Sequence, residues 1–200
     1  MSHHPALAVL LLAAVIALPG CKGPAAESPA VEPAPAPPAA VTPSAPPVTA
    51  ASSSLAAGLP NAEYLIETTA SGKAPLKDGV YAEAIADSSS QNTVRLGPQV
   101  AYGDLDGTGT QDAAVILLAD SGGSGTFTYL AAVLDQAGTL KPVASVFIGD
   151  RIIVQSVEVK GGKILVRWLD RTPSEPMSAP PSLETTRSYA VREGELVAAD

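Results

Sequence analysis

Between Asp104 and Asp112 every second residue carries an oxygen: Asp104, Asp106, Thr108, Thr110 and Asp112, with Gly107 and Gly109 interleaved. Carboxylates and carbonyls are the ligands of hard cations, and glycine lets a short loop turn tightly around one. The spacing suits Ca²⁺, held by the side chains of Asp104, Asp106, Thr108 and Asp112 and by the Thr110 carbonyl. With so few carboxylates the expected dissociation constant is weak, about 10⁻⁴ to 10⁻³ M. An Asp/Gly-rich β-turn explains the same residues, because Asp carboxylates accept nearby backbone amides in such turns. Both readings predict a loop, and only the first predicts a metal.

The loop resembles the DxDGDGxxD calcium loop of FG-GAP repeats and, more loosely, the EF-hand loop. Thr108 stands where those loops carry an acid or amide, and Val115 stands where an EF-hand places its bidentate Glu. A single copy cannot build a propeller, which needs several blades.

Other constellations carry less. Asp120-Ser-Gly-Gly-Ser-Gly125 contains DSGG, the surroundings of the nucleophile in chymotrypsin-like proteases. That nucleophile needs a His base, and the two histidines, His3 and His4, both precede Cys21. The segment reads instead as a turn, with an anion-binding nest as the alternative. Asp150 and Arg151 either orient a ligand or form a turn with a local ion pair. Trp168 reads as core packing rather than a ligand platform. Glycosidase chemistry needs only two carboxylates, and Asp104, Asp106, Asp112, Asp120, Asp150 and Asp170 supply them, with no pair marked out. Zinc is disfavoured because its His and Cys ligands are missing from the chain after Cys21.

Those residues must be positioned by what surrounds them. Ala6 to Leu18 is an unbroken apolar run, too short to span a bilayer and of signal-peptide length. Leu18-Pro-Gly-Cys21 follows and resembles the lipobox of bacterial lipoproteins, in which cleavage leaves a lipidated Cys first. Residues 1–20 are thus expected as a cleaved signal, and Cys21 as the lipidation site. Two or more acyl chains hold a protein stably on a membrane. Lys22 follows in place of the Asp that retains many enterobacterial lipoproteins at the inner membrane, which favours the outer membrane. Residues 21–58, rich in Pro and Ala, are expected to be a disordered spacer with extended segments. Cys21 is the sole cysteine, so no intrachain disulfide forms.

Residues 59–200 are expected to form the folded domain, about 140 residues, a common single-domain size. The net charge of -8 argues against a nucleic-acid partner, and 4% aromatic residues are too few for a base-stacking platform. Strands are expected at 93–102, broken by Gly97-Pro98, and at 113–118, 126–134, 143–148, 152–159, 164–169, 185–191 and 196–197. Lys160-Gly-Gly-Lys163 has hairpin-turn chemistry. The expected fold is mainly β: a single antiparallel meander curling into a barrel or sandwich, with at most one short helix, near Asn61 to Glu67.

In order, Asn61-Ala-Glu-Tyr64, Leu76-Lys-Asp-Gly-Val-Tyr81, Ala101-Tyr-Gly-Asp-Leu-Asp-Gly107 with Asp112-Ala-Ala-Val115, Gly122-Gly-Ser-Gly-Thr-Phe127 with Tyr129-Leu-Ala-Ala-Val133, and Gly149-Asp-Arg151 resemble an uncharacterised family of small bacterial lipoproteins and periplasmic proteins. Relatives often carry Cys-Pro in the penultimate loop, where this chain has Met177-Ser-Ala-Pro180. The family supplies no activity to carry over. The expected function is a membrane-anchored, non-enzymatic envelope module, stabilised by Ca²⁺, with an envelope protein or glycan as partner. The alternatives are a carboxylate-dependent enzyme on envelope glycans and an assembly or inhibitor protein.

Overall fold

The computed structural model describes residues 50–143 and 145–199. The export signal, Cys21 and the spacer up to position 49 lie outside the described residues.

The chain opens with helix α1 (Ala50–Gly58) and a 3₁₀ turn at Leu59–Asn61. Strands β1 (Glu63–Leu65) and β2 (Lys73–Pro75) pair only with each other. A larger antiparallel sheet runs β3 (Val80–Ala84), β4 (Gln91–Gly103), β5 (Asp112–Asp120), β6 (Phe127–Gln136) and β7 (Thr139–Pro142), and β8 (Val146–Asp150) returns to the same edge of β6. A second sheet holds β9 (Ile153–Lys160), β10 (Lys163–Asp170), β11 (Leu183–Arg192) and β12 (Glu195–Ala198). The protein is mainly β, and its antiparallel sheet curls into a half-barrel.

Two apolar cores explain the strand patterns. Side chains alternate across a strand, so β5 sends Ala113, Val115, Leu117 and Ala119 to one core and Ala114 and Ile116 to the other. β6 does the same with Tyr129, Ala131 and Val133 against Leu130, Ala132 and Leu134. A strand buried on both faces reads as a continuous apolar run rather than an alternation, which is what the 113–118 segment displays. The first core is closed by Leu55, Leu59, Tyr64 and Ile66; the second by the β9–β12 sheet through Ile164, Val166, Trp168 and Tyr189.

Gly97-Pro98 does not end a strand. It sits at a register shift between Leu96 and Val100, and β4 continues through it along β5. A Cβ on Gly97 would lie 3.0 Å from the Ile116 carbonyl, so the two strands approach closely there. The Lys160–Lys163 turn is a tight hairpin, with Gly161 and Gly162 at φ 58° and 72°, the left-handed pair such a turn requires.

Two expectations about the start of the domain are corrected. The helix lies at Ala50–Gly58, not near Asn61 to Glu67, where β1 forms instead. The folded region therefore begins inside the segment assigned to the spacer. Leu55 is 1% exposed in the first core, and Gly58 abuts Leu140 of β7 so closely that a Cβ there would collide with it. Burial of one leucine recruits the Ala/Ser-rich stretch as a helix. Hydrogen bonding stops at β8 and resumes in a separate sheet at β9. Among the described residues no helix is long and apolar enough to cross a membrane.

Candidate functional site

The Asp104–Asp112 segment is the connection between β4 and β5. Its position is fixed from within by Leu105, 3% exposed in the second core. That anchor turns the flanking Asp104 and Asp106 outward, while Asp112, the first residue of β5, is fully buried.

Every carboxylate in the loop accepts a donor. Asp104 takes the Gly107 amide at 2.7 Å on Oδ1 and the Gly109 amide at 2.9 Å on Oδ2. Asp106 Oδ1 takes the amide and the hydroxyl of Thr108 at 3.0 and 2.7 Å. Asp112 takes the Leu105 amide at 2.8 Å on Oδ2 and the Asp135 amide at 2.9 Å on Oδ1. Gly107 and Gly109 lie at φ 80° and 79°, a conformation in which a side chain is strained.

The three carboxylates Asp104, Asp106 and Asp112 converge: one oxygen of each lies within 4.8 Å of the others. Of the five expected ligands, these three are brought together. The Thr108 and Thr110 hydroxyls bond within the loop and to β6. Their oxygens lie 2.8 Å apart, with the Thr108 hydroxyl donating to Asp106 and the Thr110 hydroxyl donating to the Asp135 carbonyl at 3.2 Å. The electrostatics differ across the cluster. The Thr108 hydroxyl holds Asp106 below the usual carboxylate range. Burial pushes Asp112 up, against the pull of its two amide donors, and the charges of Asp106 and Asp104 add to the rise. Three converging carboxylates are the oxygen donors a hard cation such as Ca²⁺ takes, and amide-bonded carboxylate oxygens retain lone pairs for it. Beside the loop, Gly103, Asp104, Gly107, Val159, Gly161 and Gly162 border a cleft of about 440 Å³.

Asp135 belongs to this site and was not anticipated. Its amide and carbonyl tie β6 to the loop, and its carboxylate takes the Gly138 amide at 2.6 Å. The signal was present: Asp135-x-x-Gly138 repeats the Asp104-x-x-Gly107 bond, three residues apart in each case.

The remaining candidates fall elsewhere. Asp120-Ser-Gly-Gly-Ser-Gly125 is the exposed β5–β6 turn, with Asp120 accepting the Gly122 amide at 2.8 Å. Arg151, at φ 51°, folds back on Asp150 with a 2.9 Å ion pair, and Arg171 donates to the Arg151 carbonyl at 3.1 Å. Asp150 also takes the Thr126 amide at 3.0 Å. Asp150, Asp170 and Glu175 line a cleft of about 500 Å³ with Phe147, Met177 and Arg187. Each of the three accepts a neighbouring backbone amide. Trp168 is a core residue, 2% exposed, with the Arg187 guanidinium 5.9 Å from its ring centre.

No protein-family model, curated protein or solved structure matches the chain.

Proposed function

We infer that this protein is an envelope lipoprotein: a non-enzymatic β-domain tethered by acyl chains on Cys21 and held off the membrane by a Pro/Ala-rich spacer. The observation that carries the reading is Leu18-Pro-Gly-Cys21 placed directly after the apolar run and ahead of a proline-rich stretch that leads into the fold at Ala50.

A binding or structural role is supported by the domain's chemistry. It contains no His or Cys, and its converged carboxylates serve as acceptors for their own loop. In this reading Asp104, Asp106 and Asp112 take Ca²⁺ weakly, as an added brace on the β4–β5 connection, and the protein favours the outer membrane.

The test is detergent-phase partition of the full chain expressed in a bacterium with a lipoprotein pathway, against Cys21→Ala. The wild-type chain is expected in the detergent phase with acyl chains on its first residue by mass spectrometry, and the variant in the aqueous phase. Equal partition of both into the aqueous phase overturns the reading.

A further inference from the structure

A second polar site lies at the rim of the first core, at the end of β4 opposite the aspartate loop. Glu83 on β3 stands directly across from Asn92 on β4. Glu83 Oε1 accepts the Asn92 side-chain amide at 2.9 Å and the Ala70 backbone amide at 3.0 Å. Its Oε2 accepts the Tyr81 hydroxyl at 2.9 Å. Asn92 first, then Ala70, hold this carboxyl below its usual range. Asn92 Nδ2 also donates to the Thr68 carbonyl at 2.6 Å, so its donors are spent.

The acceptors are not. Asn92 is 4% exposed, yet its Oδ1 has no partner among the described residues, and neither does the buried Thr68 hydroxyl. A buried acceptor left unmet is costly, and each such group calls for an explanation. Both residues line a cleft of about 320 Å³ together with Glu83. Its remaining wall is small or apolar, chiefly Ala70, Ala84, Ile85 and Ala86, and Ser121 of the Gly-rich β5–β6 turn completes it. Among the described residues Glu83 is the one ionisable side chain lining it.

We propose that this cleft binds a primary alkylammonium group, such as a lysine side chain or a small amine carries, between Glu83, Asn92 and Thr68. An ammonium offers three donors and no acceptor. The site offers the complement: a carboxylate oxygen with a lone pair to spare, an amide oxygen and a hydroxyl. The charge is of the right sign, no cationic side chain among the described residues lines the cleft to oppose the ligand, and the alanines and Ile85 give an alkyl stem apolar contact. An anion finds no counter-charge there. The site goes beyond the anchoring role and does not depend on it, nor on the aspartate loop.

The experiment is a titration of the ¹⁵N-labelled full chain in detergent with n-butylammonium, followed by NMR, with 1-butanol and CaCl₂ as separate arms. The amine is expected to give saturable shifts at the Ala70 amide and the Asn92 side chain with a millimolar dissociation constant, and butanol none. Glu83→Gln weakens the amine by about tenfold or more. Thr68→Val, which keeps the shape and removes the hydroxyl, weakens it several-fold without altering the melting temperature by more than the error of the measurement. Absence of saturable shifts, equal shifts from butanol, or full affinity in Glu83→Gln overturns the proposal. So does CaCl₂ producing the same shifts at Ala70 and Asn92 with equal affinity, since the site then selects charge alone. Calcium shifts confined to residues 104–112 support it.

Discussion

The buried carboxylate of Asp112 accepts the backbone amide of Asp135 at 2.9 Å, joining the first residue of β5 to the far end of β6. Its other oxygen holds Leu105. One side chain thus fixes the loop to both the sheet and the second core. Removing it strands two amide donors, and a buried donor left unmet costs about 1–3 kcal/mol. Asp112→Ala is expected to lower the unfolding free energy by about 2–4 kcal/mol, read from urea denaturation. A loss under about 0.5 kcal/mol would show that the loop is held by other means.

The same residue predicts a pH signature. Burial raises Asp112 in the folded state, so the folded chain takes up its proton at higher pH than the unfolded chain. The ionised form therefore opposes folding near neutrality, and the opposition is relieved as pH falls from the raised value toward the usual carboxylate range of about 3.9. Asp112→Asn lacks this relief. Wild type is expected to gain stability relative to Asp112→Asn as pH drops through that window, measured as the difference between their unfolding free energies. A pH-independent difference contradicts the assignment.

Calcium is expected to act where the Asp104, Asp106 and Asp112 oxygens converge. With a dissociation constant near 1 mM, 10 mM Ca²⁺ adds about 1.4 kcal/mol by mass action, which raises the melting temperature by about 3–6 °C for a domain of this size. Asp106→Asn, exposed and bonded only within the loop, is expected to abolish most of the rise. An unchanged melting temperature at 10 mM Ca²⁺ leaves the loop as a hydrogen-bonded turn without a metal.

Helix α1 belongs to the fold through Leu55. Large-to-small changes of buried leucines cost about 2–5 kcal/mol. Leu55→Ala is expected at about 2–4 kcal/mol, and a chain starting at Leu59 is expected to melt well below one starting at Ala50. Equal melting temperatures would mean that the helix contributes nothing to the first core.

Much of this was legible because short-range physics decides it. The 113–118 apolar run, the Gly161-Gly162 turn and the Asp/Gly loop each follow from local rules on period, left-handed backbone and side-chain capping, and each lies where its residues place it. Strand edges shifted by a few residues, since ladders extend as far as partners reach. Other features required the tertiary structure. Ala50–Gly58 has the composition of a spacer, and only the socket formed around Leu55 makes it a helix. Nothing in the sequence near β8 tells it to return to β6 while β9 starts a new sheet; packing of two cores on the opposite faces of β5 and β6 does. Spacing alone put five oxygens in one row at 104–112. The folded chain converged three carboxylates and brought in Asp135 from the neighbouring strand β6, because buried amides demand acceptors wherever the chain delivers them.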